Sequence, residues 1–274
     1  MSGAAVALAL AAAIVHALWN VLVGGAREPR PAAAVAMLAG VCLAAPLAVA
    51  TWDVETAALP WIVASALLEL AYVVLLAAAY ERAAVAAVYP IARGAAPPLV
   101  LAAAVVTGAS TDAGQLGGVA LVVAGIALVR GSGVAGLRRP ELLLALSVAA
   151  TIAGYTLVDK HGLEHASPVP YLEAVMVGPA LAYTLFVARR MGAPAVRAAL
   201  GRGSLLAGGC MFGAYALVLA ALQRAPAAPV AAVRESSIVM APLFAAALLR
   251  NPIGLRGLLG AVAVAAGVAV VALA

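Results

Sequence analysis

Five charged residues stand inside otherwise apolar stretches of the chain: Glu69, Arg93, Glu173, Arg234 and Glu235. An ionised side chain at membrane depth is costly, so such residues usually face a bundle interior or a wet cavity. The arginines could bind an anionic group, while Glu69 or Glu235 could serve as a counter-ion or carry a proton. The alternative is that interhelical ion pairs only fix the packing, and one residue can serve both roles.

A stripe of polar and aromatic side chains lies near the N-terminus. His16, Trp19 and Asn20 are spaced at i, i+3 and i+4, so on a helix they share one face. We interpret this stripe as part of a cavity lining. The alternative is a tryptophan anchored at the membrane interface beside a hydrogen-bonded asparagine.

Tyrosines mark several further helix faces. Tyr155, Thr156 and Asp159 form a comparable stripe on the sixth span; the alternative is that Asp159 and Lys160 simply mark the membrane boundary. Tyr72 and Tyr215 could line a pore or fill the bundle. The residues predicted to line a substrate-binding cavity are His16, Trp19, Asn20, Glu69, Tyr72, Tyr89, Arg93, Tyr155, Tyr215, Arg234, Glu235 and Ser236.

Prolines are placed near these charges. Pro90, Pro97 and Pro98 flank Arg93, and Pro242 follows Arg234. Proline lacks a backbone donor and bends a helix, which leaves carbonyl groups that must be satisfied inside the protein. Kinked spans of this kind are typical of transporter binding sites.

Other chemistries have weak support in the sequence. His161, Glu164 and His165 could begin a metal site, but no third histidine or cysteine accompanies them, so a solvated loop is favoured. There is no Walker motif, which argues against direct use of ATP. We therefore expect no catalytic residues, no metal and no cofactor.

The composition indicates whether water or lipid surrounds the chain. Of the 274 residues, 66% are hydrophobic and only 10% are charged, whereas a soluble domain is about one-quarter charged. Lipid must cover so much apolar surface, so we predict an all-α integral membrane protein. Its ten spans are predicted at residues 3–24, 32–51, 60–80, 84–106, 112–130, 140–160, 168–188, 203–222, 226–249 and 254–273.

An internal repeat divides these spans. A shift of 145 residues places residues 85–97 on 230–242, and both segments share the letters VAAV and end in proline. Five spans per repeat would make the second half enter the membrane from the opposite side. We therefore predict two inverted five-helix repeats, at residues 1–136 and 137–274.

The basic residues indicate the orientation in the membrane. Of the 16 lysines and arginines, twelve follow odd-numbered spans, whereas only Lys160 and Arg224 follow even-numbered ones. The positive-inside rule then places the odd loops in the cytoplasm and both termini outside a cell membrane. Because the basic residues form no continuous stripe, nucleic acid is not an expected partner.

The chain resembles the EamA-type proteins of the drug/metabolite transporter superfamily. The motifs that carry this resemblance are HALWNVLV at residues 16–23, AYERAAVAAVYPIARGAAPPL at 79–99, YTLVDK at 155–160 and PVAAVRESSIVMAPL at 229–243. The resemblance implies ten helices, a central cavity and alternating access. Members move amino acids, amines, nucleotide sugars or phosphorylated sugars. Many keep both termini in the cytoplasm, contrary to the charge distribution here.

Together these features predict a secondary active transporter, working by efflux or exchange, of a small polar or amphipathic metabolite such as an amino acid. The alternatives are a passive channel, or a membrane-embedded enzyme or scaffold. The expected partners are the substrate, the lipid bilayer, a coupling proton and, as one assembly, a second copy of the chain in a homodimer.

Overall fold

The described part of the chain is entirely helical. The computed structural model describes residues 1–82, 85–106, 112–130, 138–237, 240 and 255–273, among which there is no strand. The helices are α1 (Gly3–Gly24), α2 (Pro29–Ala50), α3 (Leu59–Arg82), α4 (Val85–Gly94), α5 (Ala96–Val106), α6 (Ala113–Arg130), α7 (Arg139–Gly162), α8 (Pro168–Met191), α9 (Ala193–Ala198), α10 (Arg202–Leu222), α11 (Ala227–Arg234) and α12 (Leu255–Leu273). The predicted all-α class is confirmed, while the number of ten spans remains a prediction.

Six described helices are long and apolar enough to cross a membrane. They are Gly3–Gly24, Pro29–Ala50, Thr56–Ala79, Arg139–Gly162, Pro168–Met191 and Arg202–Leu222. Large apolar side chains such as Leu43, Val63, Leu143 and Leu181 are more than half exposed on four of them. Surface of this kind is covered by lipid in a bundle of this composition.

The fourth predicted span is not one continuous helix. α4 ends at Gly94 and α5 begins at Ala96, with a turn at Ala95 between them. Pro97 and Pro98 occupy the first turn of α5, where a missing backbone N–H is tolerated. These prolines cannot donate to the carbonyls of Arg93 and Gly94, so the helical hydrogen-bond ladder is interrupted next to Arg93.

Each helix of the first half packs mainly on helices of the second half. α1 packs on α10, α3 on α7 and α8, and α2 on α8 and α10. Later helices of each half pair in the same way, since α5 packs on α11 and α6 packs on α12. The centre of the bundle is therefore enclosed by α1, α3, α4, α7, α10 and α11.

Glycines allow two of these pairs to approach closely. A Cβ atom added to Gly40 of α2 would lie 2.9 Å from the carbonyl oxygen of Gly208 in α10. One added to Gly118 of α6 would lie 2.9 Å from the carbonyl oxygen of Gly267 in α12. Small residues at helix crossings are the usual means of association in lipid, where the hydrophobic effect does not drive helices together.

One end of the bundle is closed by hydrogen bonds between connecting segments. Asp53, before α3, accepts from the backbone N–H and the hydroxyl of Ser167, before α8, at 3.0 and 2.8 Å. Lys160 donates to the carbonyls of Leu222 and Ala225 at the end of α10. We call the contact of Asp53 with Ser167 the end clasp.

Candidate functional site

Two arginines and one glutamate form the centre of the site. The guanidinium of Arg93, on α4, donates through Nη1 to Oε1 of Glu235 at 3.3 Å, across 142 residues of sequence. Nε of Arg234 lies 3.6 Å from the same oxygen, close enough for charge attraction but too long for a hydrogen bond. Glu235 is 1% exposed, Arg93 4% and Arg234 7%. Two buried positive charges therefore share one carboxylate oxygen.

α1 contributes His16 to this centre. Nε2 of His16 contacts Nη2 of Arg93, while its Nδ1 faces Nε1 of Trp19 at 3.2 Å. Arginine and tryptophan nitrogens are donors only, whereas a neutral imidazole has one acceptor nitrogen. His16 can therefore accept a hydrogen bond from only one of these two donors.

The other two residues of the predicted α1 stripe, Trp19 and Asn20, contact His16. The indole of Trp19 packs edge-on to the His16 ring at 4.9 Å between centroids. Nδ2 of Asn20 donates to the backbone carbonyl of His16 at 2.7 Å. The stripe thus lies at the site, but only His16 is in contact with the charged centre.

Three tyrosines lie next to Arg234 and to one another. Nη2 of Arg234 donates to the hydroxyl of Tyr155 on α7 at 3.1 Å, and the guanidinium lies over the ring at 5.9 Å. The Tyr155 ring in turn contacts the rings of Tyr72 and Tyr215 at 6.2 and 5.9 Å. These rings form an aromatic wall between the arginines and the carboxylates described next.

Asp159 is a buried acceptor at the far side of this wall. Its Oδ1 accepts from the hydroxyls of Ser65 at 2.6 Å and Tyr171 at 3.0 Å, and its Oδ2 accepts from Tyr215 at 2.7 Å. Asp159 is completely buried within the bundle, while its position relative to the membrane boundary stays a prediction. Charge at a helix end is ambiguous in sequence because burial depends on which helices surround it.

Glu69 lies one turn after Ser65 on α3 and is 6% exposed. It interacts with the Tyr215 hydroxyl and with the charge of Asp159. Ser65 and Tyr171 were missed by sequence reasoning. The spacing of Ser65 and Glu69 at i and i+4 was the available signal for Ser65, whereas nothing in the sequence brings Tyr171 to Asp159.

Several buried polar atoms around Glu235 have no hydrogen-bond partner among the residues that the structure describes. They are Oε2 of Glu235, Nε of Arg234, and the hydroxyls of Ser236 and Ser237. All three residue types can serve a polar ligand, and four orphaned atoms on consecutive residues are unusual in a native interior. Ser236 was predicted to line the cavity and Ser237 was missed.

The remaining residues singled out in the sequence lie elsewhere. The side chain of Tyr89 and the whole of Pro242 fall outside the described residues. Glu173, on α8, is 9% exposed, and its Oε2 has no partner in the described part of the chain. His161 pairs with Glu164 at 3.5 Å, whereas His165 pairs with Glu55 at 3.3 Å, so the two histidines face different carboxylates.

An apolar cavity borders the tyrosine wall. Tyr215 lines it together with side chains of α2, α8 and α10, which include Met37, Met176, Met211 and Phe212. Methionine side chains are flexible and polarizable, so they adapt to apolar groups of different shapes. The site thus combines a charged region with an adjacent apolar one.

Long apolar helices around buried charges are the architecture of a polytopic membrane protein. Residues 139–273, just under half of the chain, match the EamA-like transporter family. The second half of the chain is therefore similar to the EamA-like transporters, a family of the drug/metabolite transporter superfamily. The chain is a multi-pass membrane protein with a transport function.

Comparison with solved structures supports the fold. A crystal structure of a protein with 16% sequence identity superposes with a TM-score of 0.77, covering 100% of this chain and 99% of the other. At this identity the likeness concerns the fold alone. No curated protein sequence matches the chain.

Proposed function

We propose that this protein is a secondary active transporter that moves a small polar or amphipathic metabolite, such as an amino acid, across the cell membrane by efflux or exchange. The observation that carries the proposal is the buried contact of Arg93 and Arg234 with Glu235, surrounded by orphaned polar atoms. Guanidiniums in a low-dielectric interior would bind an anionic substrate group strongly.

The apolar cavity supports an amphipathic substrate. An anionic group at Arg93 and Arg234 would leave the rest of the molecule near Tyr155 and Tyr215. Beyond Tyr215, Met37, Met176 and Met211 line an apolar crevice of about 20 Å³, which offers contact to a small apolar group. Substrate orientation would thus be set by charge at one end and by apolar contact at the other.

The helix packing supports two inverted repeats. If α4 and α5 together form the fourth span, the helices α1, α2, α3 and α6 correspond to α7, α8, α10 and α12. Under that correspondence the α1–α10 contact becomes α7–α3, and the α2–α10 contact becomes α8–α3; both members of each pair occur. The α2–α8 and α6–α12 contacts map onto themselves, as a two-fold relation requires.

Alternating access is supported by the difference between the two ends of the bundle. The end clasp and the Lys160 contacts close one end. At the opposite end, the described residues include the ion pair of Arg30 with Glu81, at 3.8 Å and with both side chains about half exposed. In the orientation predicted by the positive-inside rule, the end clasp would face the exterior, which supports a state closed on that side.

The proposal is tested with purified protein in two stages. Metabolites are first screened for thermal stabilisation, because a ligand that binds only the folded state raises the melting temperature. Radiolabelled compounds that stabilise the protein are then tested for counterflow in liposomes. We expect transient accumulation of label against its gradient. Flux without counterflow would indicate a channel, and chemical conversion of the compound would indicate an enzyme.

A further inference from the structure

The segment between α8 and α10 concentrates positive charge at one end of the bundle. α8 begins next to Ser167, so the segment that follows α8 lies at the end opposite the end clasp. Its four arginines are exposed; they are Arg189 and Arg190 at the end of α8, Arg197 on α9, and Arg202 at the start of α10. We call residues 189–202 the arginine segment.

No carboxylate offsets this charge among the residues that the structure describes. The sequence has no aspartate or glutamate between residues 174 and 234, and none of the described ion pairs includes an arginine of the segment. Other exposed arginines differ. Arg30 lies 3.8 Å from Glu81, and the backbone N–H of Arg138 donates to the carboxylate of Glu141 at 2.8 Å. A surface with several cations and no carboxylate attracts an anion from outside the chain.

The backbone holds the arginine segment in a fixed shape. Gly192 has a φ angle of +87°, which side chains of L-residues disfavour, and the chain turns there between α8 and α9. Its N–H donates to the carbonyl of Ala188 at 3.0 Å. Before α10, the hydroxyl of Ser204 donates to the carbonyl of Ala199 at 2.8 Å, and α9 packs on α8 and α2. A ligand of the segment therefore has little backbone to order when it binds.

Exposed apolar side chains adjoin the arginines. Phe186 lies one turn before Arg190 on α8, and the Arg190 guanidinium lies over its ring at 5.6 Å from the centroid. Leu205 and Leu206, in the first turns of α10, are 43% and 55% exposed. Because α8 and α10 are long enough and apolar enough to cross a membrane, lipid chains cover these side chains while the guanidiniums reach the polar surface of the bilayer.

We propose that the arginine segment binds an anionic phospholipid, whose phosphate the guanidiniums hold and whose acyl chains lie on the apolar side chains of α8 and α10. The planar guanidinium fork matches phosphate oxygens, and a negative headgroup supplies the charge that no carboxylate of the segment supplies. A nucleic acid brings the same charge but no acyl chain for Phe186, Leu205 and Leu206. The site is separate from the buried arginines, so it does not depend on the proposed transport.

Native mass spectrometry of the purified full chain tests the proposal. The protein in detergent is titrated with dioleoylphosphatidylglycerol and with dioleoylphosphatidylcholine, which share their acyl chains but differ in net charge. We expect the first molecule of phosphatidylglycerol to bind about tenfold more tightly than the first molecule of phosphatidylcholine. The double variant Arg190→Gln/Arg197→Gln should lose this preference.

The matched control is the double variant Arg138→Gln/Arg139→Gln. It removes the same amount of positive charge from exposed positions, but beside Glu141. This control should keep the tenfold preference. Equal binding of the two lipids by the wild type, or the same loss in both double variants, would overturn the proposal. Tighter binding of a single-stranded oligonucleotide than of phosphatidylglycerol would also overturn it, in favour of nucleic acid.

Photo-crosslinking of the wild type keeps the proposal falsifiable if Arg190→Gln/Arg197→Gln does not fold. The protein is placed in nanodiscs that contain phosphatidylglycerol or phosphatidylcholine with a diazirine in one acyl chain. Phosphatidylglycerol should label peptides from residues 185–206 several times more than phosphatidylcholine does, and should label the other helices no more than phosphatidylcholine does. Equal labelling of residues 185–206 by the two lipids would contradict the proposal.

Discussion

Asp159 provides a quantitative test of the buried network. Replacing it with alanine removes the acceptor of three buried hydroxyls, those of Ser65, Tyr171 and Tyr215. A hydrogen bond to a charged group contributes about 1.5–3 kcal/mol. Removing the buried charge also removes its desolvation penalty, which offsets part of the loss. We therefore expect Asp159→Ala to lower the free energy of unfolding by about 3–5 kcal/mol.

Replacing Asp159 with asparagine should lower the free energy of unfolding less than replacing it with alanine. Its side chain keeps Oδ1, which accepts from Ser65 and Tyr171, and changes only Oδ2 to a donor. The hydroxyl of Tyr215 can rotate and accept from that donor. Asp159→Asn should therefore lose only about 1–2 kcal/mol.

The assay is the fraction of detergent-solubilised protein that remains monodisperse on size-exclusion chromatography after heating. For a chain of this size, the alanine variant should lose roughly 10 °C in melting temperature. Asp112→Ala serves as the control, because this exposed aspartate accepts one bond, from the backbone N–H of Gln115. A melting temperature of Asp159→Ala equal to that of the control, or equal losses for alanine and asparagine, would refute the reasoning.

Three further outcomes follow from the fold. Asp53→Ala removes both hydrogen bonds of the end clasp, which together contribute about 1 kcal/mol. A cysteine introduced at Ser237 should then react about fivefold faster with a thiol reagent added on the side of the end clasp. An unchanged rate would exclude the end clasp as a gate. Gly208→Ala should destabilise the protein by about 1–3 kcal/mol through crowding against α2, while Gly213→Ala, with nothing within 4 Å, should not. A reporter fused after Ala274 that is active only in the cytoplasm would contradict the proposed orientation.

Sequence reasoning located the helices well because their signal is local. Runs of apolar residues predicted a first span at 3–24, and α1 occupies Gly3–Gly24. The same reasoning joined α4 and α5 into one span, because both are apolar and the effect of Pro97 and Pro98 on the hydrogen-bond ladder depends on their position in the turn. Composition alone does not distinguish a kink from a break.

The site was predicted as a set of residues but not as a network. Helical spacing identifies side chains that share a face, such as Tyr155 and Asp159, yet it does not say which helices meet. Arg93 and Glu235 are separated by 142 residues, so their pairing depends on how the bundle brings the end of α4 near the residue that follows α11. The donors of Asp159 come from α3, α8 and α10, which explains why its burial could not be predicted.

The central claim is that Arg93 and Arg234 bind the anionic group of a transported substrate. It is tested most directly by counterflow in liposomes that contain wild-type, Arg93→Ala or Arg224→Ala protein. Arg224 is the control, because it is an exposed arginine after α10 that donates to the carbonyl of Ala220. The account predicts counterflow for the wild type and Arg224→Ala, and a loss of at least about tenfold for Arg93→Ala. Wild-type counterflow in Arg93→Ala, with the protein correctly folded, would contradict it.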